Sequence, residues 1–131
     1  MGKSTGVTIM KRYLIAPLFA VLALLSTPLW AADSMSVAQL KQDMQAGKGP
    51  IIIDVREEDE YLAGHIPGAI MVPAKQMEHH LDMMEQYRKE QIVLYCESGR
   101  RASAAATVLE NAGFKHVKLL QGDYPGWKAA Q

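Results

Sequence analysis

From Ser36 onward, short apolar runs alternate with longer stretches of helical periodicity. Ser36-Val37-Ala38-Gln39 has the Ser-x-x-Gln form of a capping box and predicts a helix that stops near Gly47. Ile51-Ile52-Ile53-Asp54-Val55 is an apolar run broken only by Asp54, as in a strand buried on both faces. Residues 57–63 predict a short acidic helix ended by Gly64, and Ala69-Ile70-Met71-Val72 a second strand stopped by Pro73. Met77, Leu81 and Met84 recur at helical spacing and predict a third helix to about Arg88. Ile92-Val93-Leu94-Tyr95 is a third strand, and residues 102–111 a fourth helix closed by Gly113. Val117-Lys118-Leu119-Leu120 is the last strand, followed from Gly122 by a turn and a short helix bearing Trp127. This alternation predicts one α/β domain with a mostly parallel central sheet flanked by helices on both faces. Ligands of such sheets sit outside the carboxyl ends of the strands.

The first 32 residues have a different character. Lys3, Lys11 and Arg12 are followed by an apolar stretch from Leu14 to Leu29 and a small-residue exit at Ala31-Ala32, with no acidic residue throughout. That layout predicts a secretory signal peptide, cleaved after Ala31 or Ala32, with Met10 a candidate start. An uncleaved anchor is the alternative, but the stretch is short of the ~20 apolar residues a span needs and contains Pro17 and Pro28. No cysteine lies near the cut, which excludes lipid attachment there. The expected product is residues 33–131, exported to the periplasm and free of the membrane after cleavage. Cleavage removes three of the 14 basic residues and none of the 14 acidic ones, so the domain becomes mildly acidic. It has no basic stripe with interleaved aromatics, which argues against nucleic acid as a partner.

The single cysteine changes the picture most. An exported domain of this size often relies on disulfides, yet Cys96 has no partner in the chain and the core must hold the fold. Cys96 stands between the strand ending at Tyr95 and the loop Glu97-Ser98-Gly99-Arg100-Arg101, which leads into a helix. A thiol there faces orphan backbone N–H groups and the positive end of the helix dipole, with two arginines beside it. Such a field favours the thiolate, which is the nucleophile, and attracts an anion. An inert buried cysteine fits poorly beside Glu97, Ser98, Gly99 and Arg100.

Three segments carry a resemblance. Asp54-Val55-Arg56 with Glu60-Tyr61 and Gly64-His65-Ile66-Pro67-Gly68-Ala69, the loop from Tyr95 to Arg101, and Gly122 to Trp127 together resemble the motifs of rhodanese domains. The similarity spans about residues 36–130 and is nearest in kind to small exported single-domain members. It implies a ping-pong sulfur transfer: Cys96 takes the outer sulfur of thiosulfate, sulfite leaves, and a thiophilic acceptor such as cyanide or a thiol removes the sulfur. No cofactor or metal is implied. Backbone N–H groups from Glu97 to Arg101 are expected to cradle the anionic persulfide, Gly99 to permit the turn, and Arg100 and Arg101 to pair with the donor's sulfonate oxygens. Related phosphatases and arsenate reductases use cysteine-x5-arginine, but here Ala102 stands at that position, and the tighter loop suits a single sulfur atom. Two features depart from the family's pattern. Glu97 puts a negative charge beside the nucleophile, and Ala102 replaces a frequent serine, removing a possible helix cap.

The remaining polar residues read more plainly. Asp54 and Arg56 are expected to form an ionic brace at a strand end, with Glu60 joining it, rather than a catalytic pair. His65 is expected to hydrogen-bond its own turn, a proton-carrier role being the lesser alternative. His79 and His80 are adjacent on a helix and point apart, His116 has no visible partner, and Met77, Met83 and Met84 read as core and rim. Two rival functions stay open: a rhodanese-like module that only binds a partner, and a dedicated sulfur carrier to a protein acceptor. The presence of Cys96, Gly99 and Arg101 favours chemistry over mere binding.

Overall fold

The computed structural model describes Gly2, Gly6 and residues 32–131; the leader reading of the first 32 residues lies almost wholly outside the described residues. Ten regular elements follow in order: β1 (Asp33–Met35), α1 (Val37–Gln45), β2 (Ile51–Asp54), α2 (Glu58–Ala63), β3 (Ile70–Met71), α3 (Leu81–Met84), β4 (Ile92–Tyr95), α4 (Arg100–Asn111), β5 (Val117–Leu120) and α5 (Asp123–Ala129). Two 3-10 helices, Ala74–His80 and Glu85–Tyr87, flank α3.

All four predicted strands are present, and each strand pair is parallel. The sheet order is β1-β5-β4-β2-β3, with β4 at the centre. β1 was not expected. Its Asp-Ser-Met sequence has no apolar run, and only Met35 is buried; pairing with β5 makes it a strand. The predicted third helix is a 3-10, α, 3-10 succession rather than one α-helix, although Met77 and Met84 are fully buried as their spacing suggested.

Period-2 alternation divides the core. Ile53, Val55, Ile92, Leu94 and Cys96 face α4 and the Ala74–Tyr87 segment, whose Met77, Met84, Ala102, Ala105 and Leu109 complete that layer. Ile52, Val93 and Tyr95 face the opposite way, where Leu40 of α1, Ile66 and Trp127 of α5 cover them. Helices therefore lie on both faces, and Trp127 packs the last helix onto the sheet.

This strand order places the chemistry. After β2 the chain crosses to β3 on one side, and after β4 it crosses to β5 on the other. The carboxyl ends of β2 and β4 thus flank a topological switch point, where a crevice opens in such sheets. Asp54 and Tyr95 are register partners at those ends, so Asp54-Val55-Arg56 and the Cys96 loop are brought together.

Candidate active site

Cys96 follows directly on β4 and is fully buried. Its Sγ accepts the Gly99 N–H at 3.0 Å and the Ala102 N–H at 3.4 Å. The loop achieves this because Gly99 takes φ +90° and serves as N-cap of α4, a conformation that a side-chain-bearing residue resists. α4 starts at Arg100, two residues earlier than predicted. Ala102 is therefore the third residue of the helix rather than its cap, and the cysteine sulfur accepts its N–H, the one that a side chain at the Gly99 cap position would otherwise take. Two converging N–H groups at the end of a twelve-residue helix stabilise negative charge on sulfur.

Beneath the loop lies the expected brace. Arg56 is 3% exposed and Asp54 fully buried. The Arg56 guanidinium donates to Asp54 Oδ1 from Nε at 3.0 Å and to Oδ2 from Nη2 at 2.7 Å, and Nη2 also reaches the Gly64 carbonyl at 2.7 Å. Burial works against the Arg56 charge, but the hydrogen bonds and attraction of Asp54 outweigh it and the pKa rises. The Tyr95 hydroxyl donates to Asp54 Oδ2 at 2.7 Å and accepts the Ile66 N–H at 3.1 Å, tying β4, β2 and the Gly64–Ala69 turn into one network. Burial, followed by the bond to Asp54, drives the Tyr95 pKa up, so it remains a donor.

Glu60 does not join this brace. It accepts both arms of Arg101, at 2.6 and 3.0 Å, and also the Glu57 N–H that opens α2. The fork of Arg101 thereby ties α2 to the start of α4. Arg100 is exposed and makes no ion pair among the described residues. The Glu97 carboxylate is turned towards Arg56, 3.7 Å from Nη1, and is about half exposed. Ser98 is exposed in the loop. His65 bonds the Tyr61 carbonyl through Nδ1 at 2.9 Å and stacks on the Tyr61 ring at 3.7 Å, the local turn role foreseen for it.

The hydrogen bonds from Arg101 hold the Glu60 carboxyl down at about 2, against a usual 4.5. A depressed carboxylate stabilises the folded state above the unfolded pKa and loses that contribution as pH falls towards the folded one. The Glu60–Arg101 pair is therefore expected to weaken between about pH 4.5 and 2. Both side chains are about a third exposed, so screening limits the pair to about 1 kcal/mol or less. Urea unfolding of Glu60→Gln should show that loss at pH 7 and a shallower decline on acidification than the parent; parallel declines would contradict the assignment.

A cleft of about 340 Å³ opens beside the loop, lined by Arg56, Glu60, Gly64, Glu97, Tyr124 and Lys128. Arg56 lies over the Tyr124 ring at 4.2 Å and Lys128 at 4.9 Å from its centre, which gives the cleft cationic groups on an aromatic wall. Two contributors to the site were not foreseen. Asp123 Oδ1 accepts the Cys96 N–H at 3.0 Å, and the Tyr124 N–H donates to the Cys96 carbonyl at 3.0 Å. An acid following Gly122 in a turn was the only available signal, and its partner lies 27 positions away.

A parallel sheet whose switch point holds a cysteine in a short N–H-lined loop is the arrangement of a rhodanese-like domain. Residues 36–130 match that family, described as the rhodanese-like domain, and the chain belongs to it. The thiosulfate sulfurtransferase GlpE of Pseudoalteromonas translucida is 34% identical over 80 residues, covering 61% of this chain and 74% of that protein. YrkF of Bacillus subtilis, provisionally named a sulfur carrier protein, is 34% identical over 83 residues, 63% of this chain and 44% of YrkF. A tRNA uridine(34) hydroxylase of Buchnera aphidicola is 32% identical over 84 residues, 61% of this chain and 27% of the hydroxylase. The chain thus spans less than half the length of these last two. Among solved structures, the Alr3790 protein from Anabaena superposes with a TM-score of 0.66 at 30% identity, covering 73% of this chain and 77% of that one.

Proposed function

We propose that this protein is a sulfurtransferase that carries sulfane sulfur as a persulfide on Cys96, with thiosulfate as donor and cyanide or a thiol as acceptor. One observation carries the reading: Sγ sits at the amino end of α4 with the Gly99 and Ala102 N–H groups directed at it. In the first half-reaction the Cys96 thiolate attacks the outer sulfur of thiosulfate. A sulfur–sulfur bond forms to Cys96, the bond to the sulfonate sulfur breaks, and its electron pair departs with sulfite. In the second, the acceptor attacks the terminal sulfur and the Cys96 thiolate is regenerated. No net oxidant or reductant is needed. Arg100 at the start of α4 and Lys128 in the cleft, neither in an ion pair among the described residues, join Arg101 as cations to meet donor oxyanions.

Kinetics test the covalent intermediate. One sulfite should be released per chain without acceptor, and double-reciprocal lines should be parallel when donor and acceptor are varied together. Sulfite release that requires the acceptor would contradict it. A sulfur carrier loaded by a protein is the second reading, favoured by the Glu97 carboxylate, which repels a free anionic donor beside the loop. Rapid loading from a protein persulfide with slow loading from thiosulfate would support that form. Export follows from the leader reading of residues 1–32 and places the reaction in the periplasm. A mature amino terminus at Ala32 or Asp33 supports this placement; an intact terminus on a cytoplasmic protein contradicts it.

A further inference from the structure

Asp123 combines three features. At φ +53° it is the sole non-glycine residue with positive φ among the described residues. Its Oδ1 accepts the backbone N–H of Cys96 at 3.0 Å. Its Oδ2 lies so close to Gly99 that a Cβ built there would come within 3.2 Å of it. The next residue donates its own N–H to the Cys96 carbonyl at 3.0 Å. Both backbone groups of the nucleophile are therefore held by the 123–124 turn, one through a side chain. Strained backbone that the surrounding structure holds in place clusters where geometry serves function.

We infer that Asp123 is a positioning residue for sulfur transfer: its carboxylate fixes the Cys96 backbone so that Sγ meets the Gly99 and Ala102 N–H groups. The inference rests on the persulfide reading. Three consequences follow from the geometry. The Cys96 N–H is engaged by Asp123, leaving the N–H groups beyond it in the loop to meet the anion. The space against Asp123 Oδ2 reinforces the need for glycine at position 99, already imposed by its φ. And the strain at position 123 comes with the side chain, since glycine would adopt the same φ without it.

That last point supplies the test, because activity should fall far more than the change in stability accounts for. Asp123→Gly relieves the backbone and removes the carboxylate; Asp123→Asn keeps an oxygen acceptor and tolerates this φ. The full chain and both variants would be compared by thermal melting and by sulfite release from thiosulfate with cyanide as acceptor. The expected result is a glycine variant that melts within a few degrees of the parent, because relief of the positive φ offsets much of the lost hydrogen bond to the Cys96 N–H. Its kcat should fall roughly 10- to 100-fold with donor KM within about twofold, and asparagine should recover kcat to within about threefold. A glycine variant with parental kcat, or a fall in kcat matched by a fall in melting temperature, would overturn the inference, as would an asparagine variant as slow as glycine. The parent supplies the control: if it forms no persulfide with thiosulfate, the functional reading fails, whereas a persulfide-forming parent with an equally active glycine variant defeats only the role of Asp123.

Discussion

Replacing Cys96 by serine is expected to abolish sulfur transfer, by at least about 10³-fold, while the domain remains folded. The chemistry requires an atom that attacks sulfane sulfur, holds it as a sulfur–sulfur bond and releases it again. A hydroxyl is a poor nucleophile at neutral pH and forms no comparable bond to sulfur. The fold should survive because serine is smaller than cysteine and its oxygen can still accept the Gly99 N–H that now reaches Sγ. Burying that hydroxyl beside Leu94 and Ala105 costs about 1 kcal/mol, which a domain of ordinary stability tolerates. Sulfite release and a melting curve on the same preparation decide it. Residual transfer within tenfold of the parent would move the nucleophile elsewhere.

The second large effect concerns stability. Arg56→Ala should destabilise the domain by about 3–5 kcal/mol, because it leaves the Asp54 carboxylate buried without its cation. The Tyr95 hydroxyl and the Arg56 backbone N–H would remain as neutral partners of Asp54, which limits the loss without cancelling it. At about 4–8 °C per kcal/mol for a domain near 100 residues, melting should fall by more than about 10 °C. Arg101→Ala, which breaks a partly exposed pair, should cost about 1 kcal/mol or less. The ordering matters more than the size, and equal losses in urea titrations of the two variants would show that the Asp54–Arg56 brace is not the structural centre of the site. The double variant Asp54→Leu with Arg56→Met should be less damaging than Arg56→Ala, since it removes both charges together.

Much of this architecture is legible along the chain because its signals are local. The runs at 51–55 and Ile92–Tyr95 are apolar at nearly every position, since both faces of the central strands are covered. The Cys96 loop is readable for the same reason: the strand end, glycine and helix start that shape it are contiguous. Features set by distant pairings are not readable. β1 exists because β5 lies beside it, and three residues with one buried side chain carry no period of their own. Glu60 and Arg101 are 41 positions apart, so choosing Arg101 over Arg56 as the partner of Glu60 requires the packing of α2 against the start of α4. Tyr95 reads as the last apolar residue of a strand, yet its hydroxyl organises the switch point through a neighbour known only from register. Helix type between Ala74 and Tyr87 was also hidden. Met77 and Met84 announce which face is buried, but successive 3-10 and α turns can present the same two residues to the core.

Everything proposed for this site depends on Cys96 carrying sulfur. The most direct test is the intact mass of the protein after thiosulfate treatment and removal of excess donor, with cyanide then added to half of the sample. The mass should rise by one sulfur atom, mapped to the peptide containing Cys96 and lost with cyanide. An unchanged mass in a protein whose Cys96 thiol is reduced and open to alkylation would contradict it.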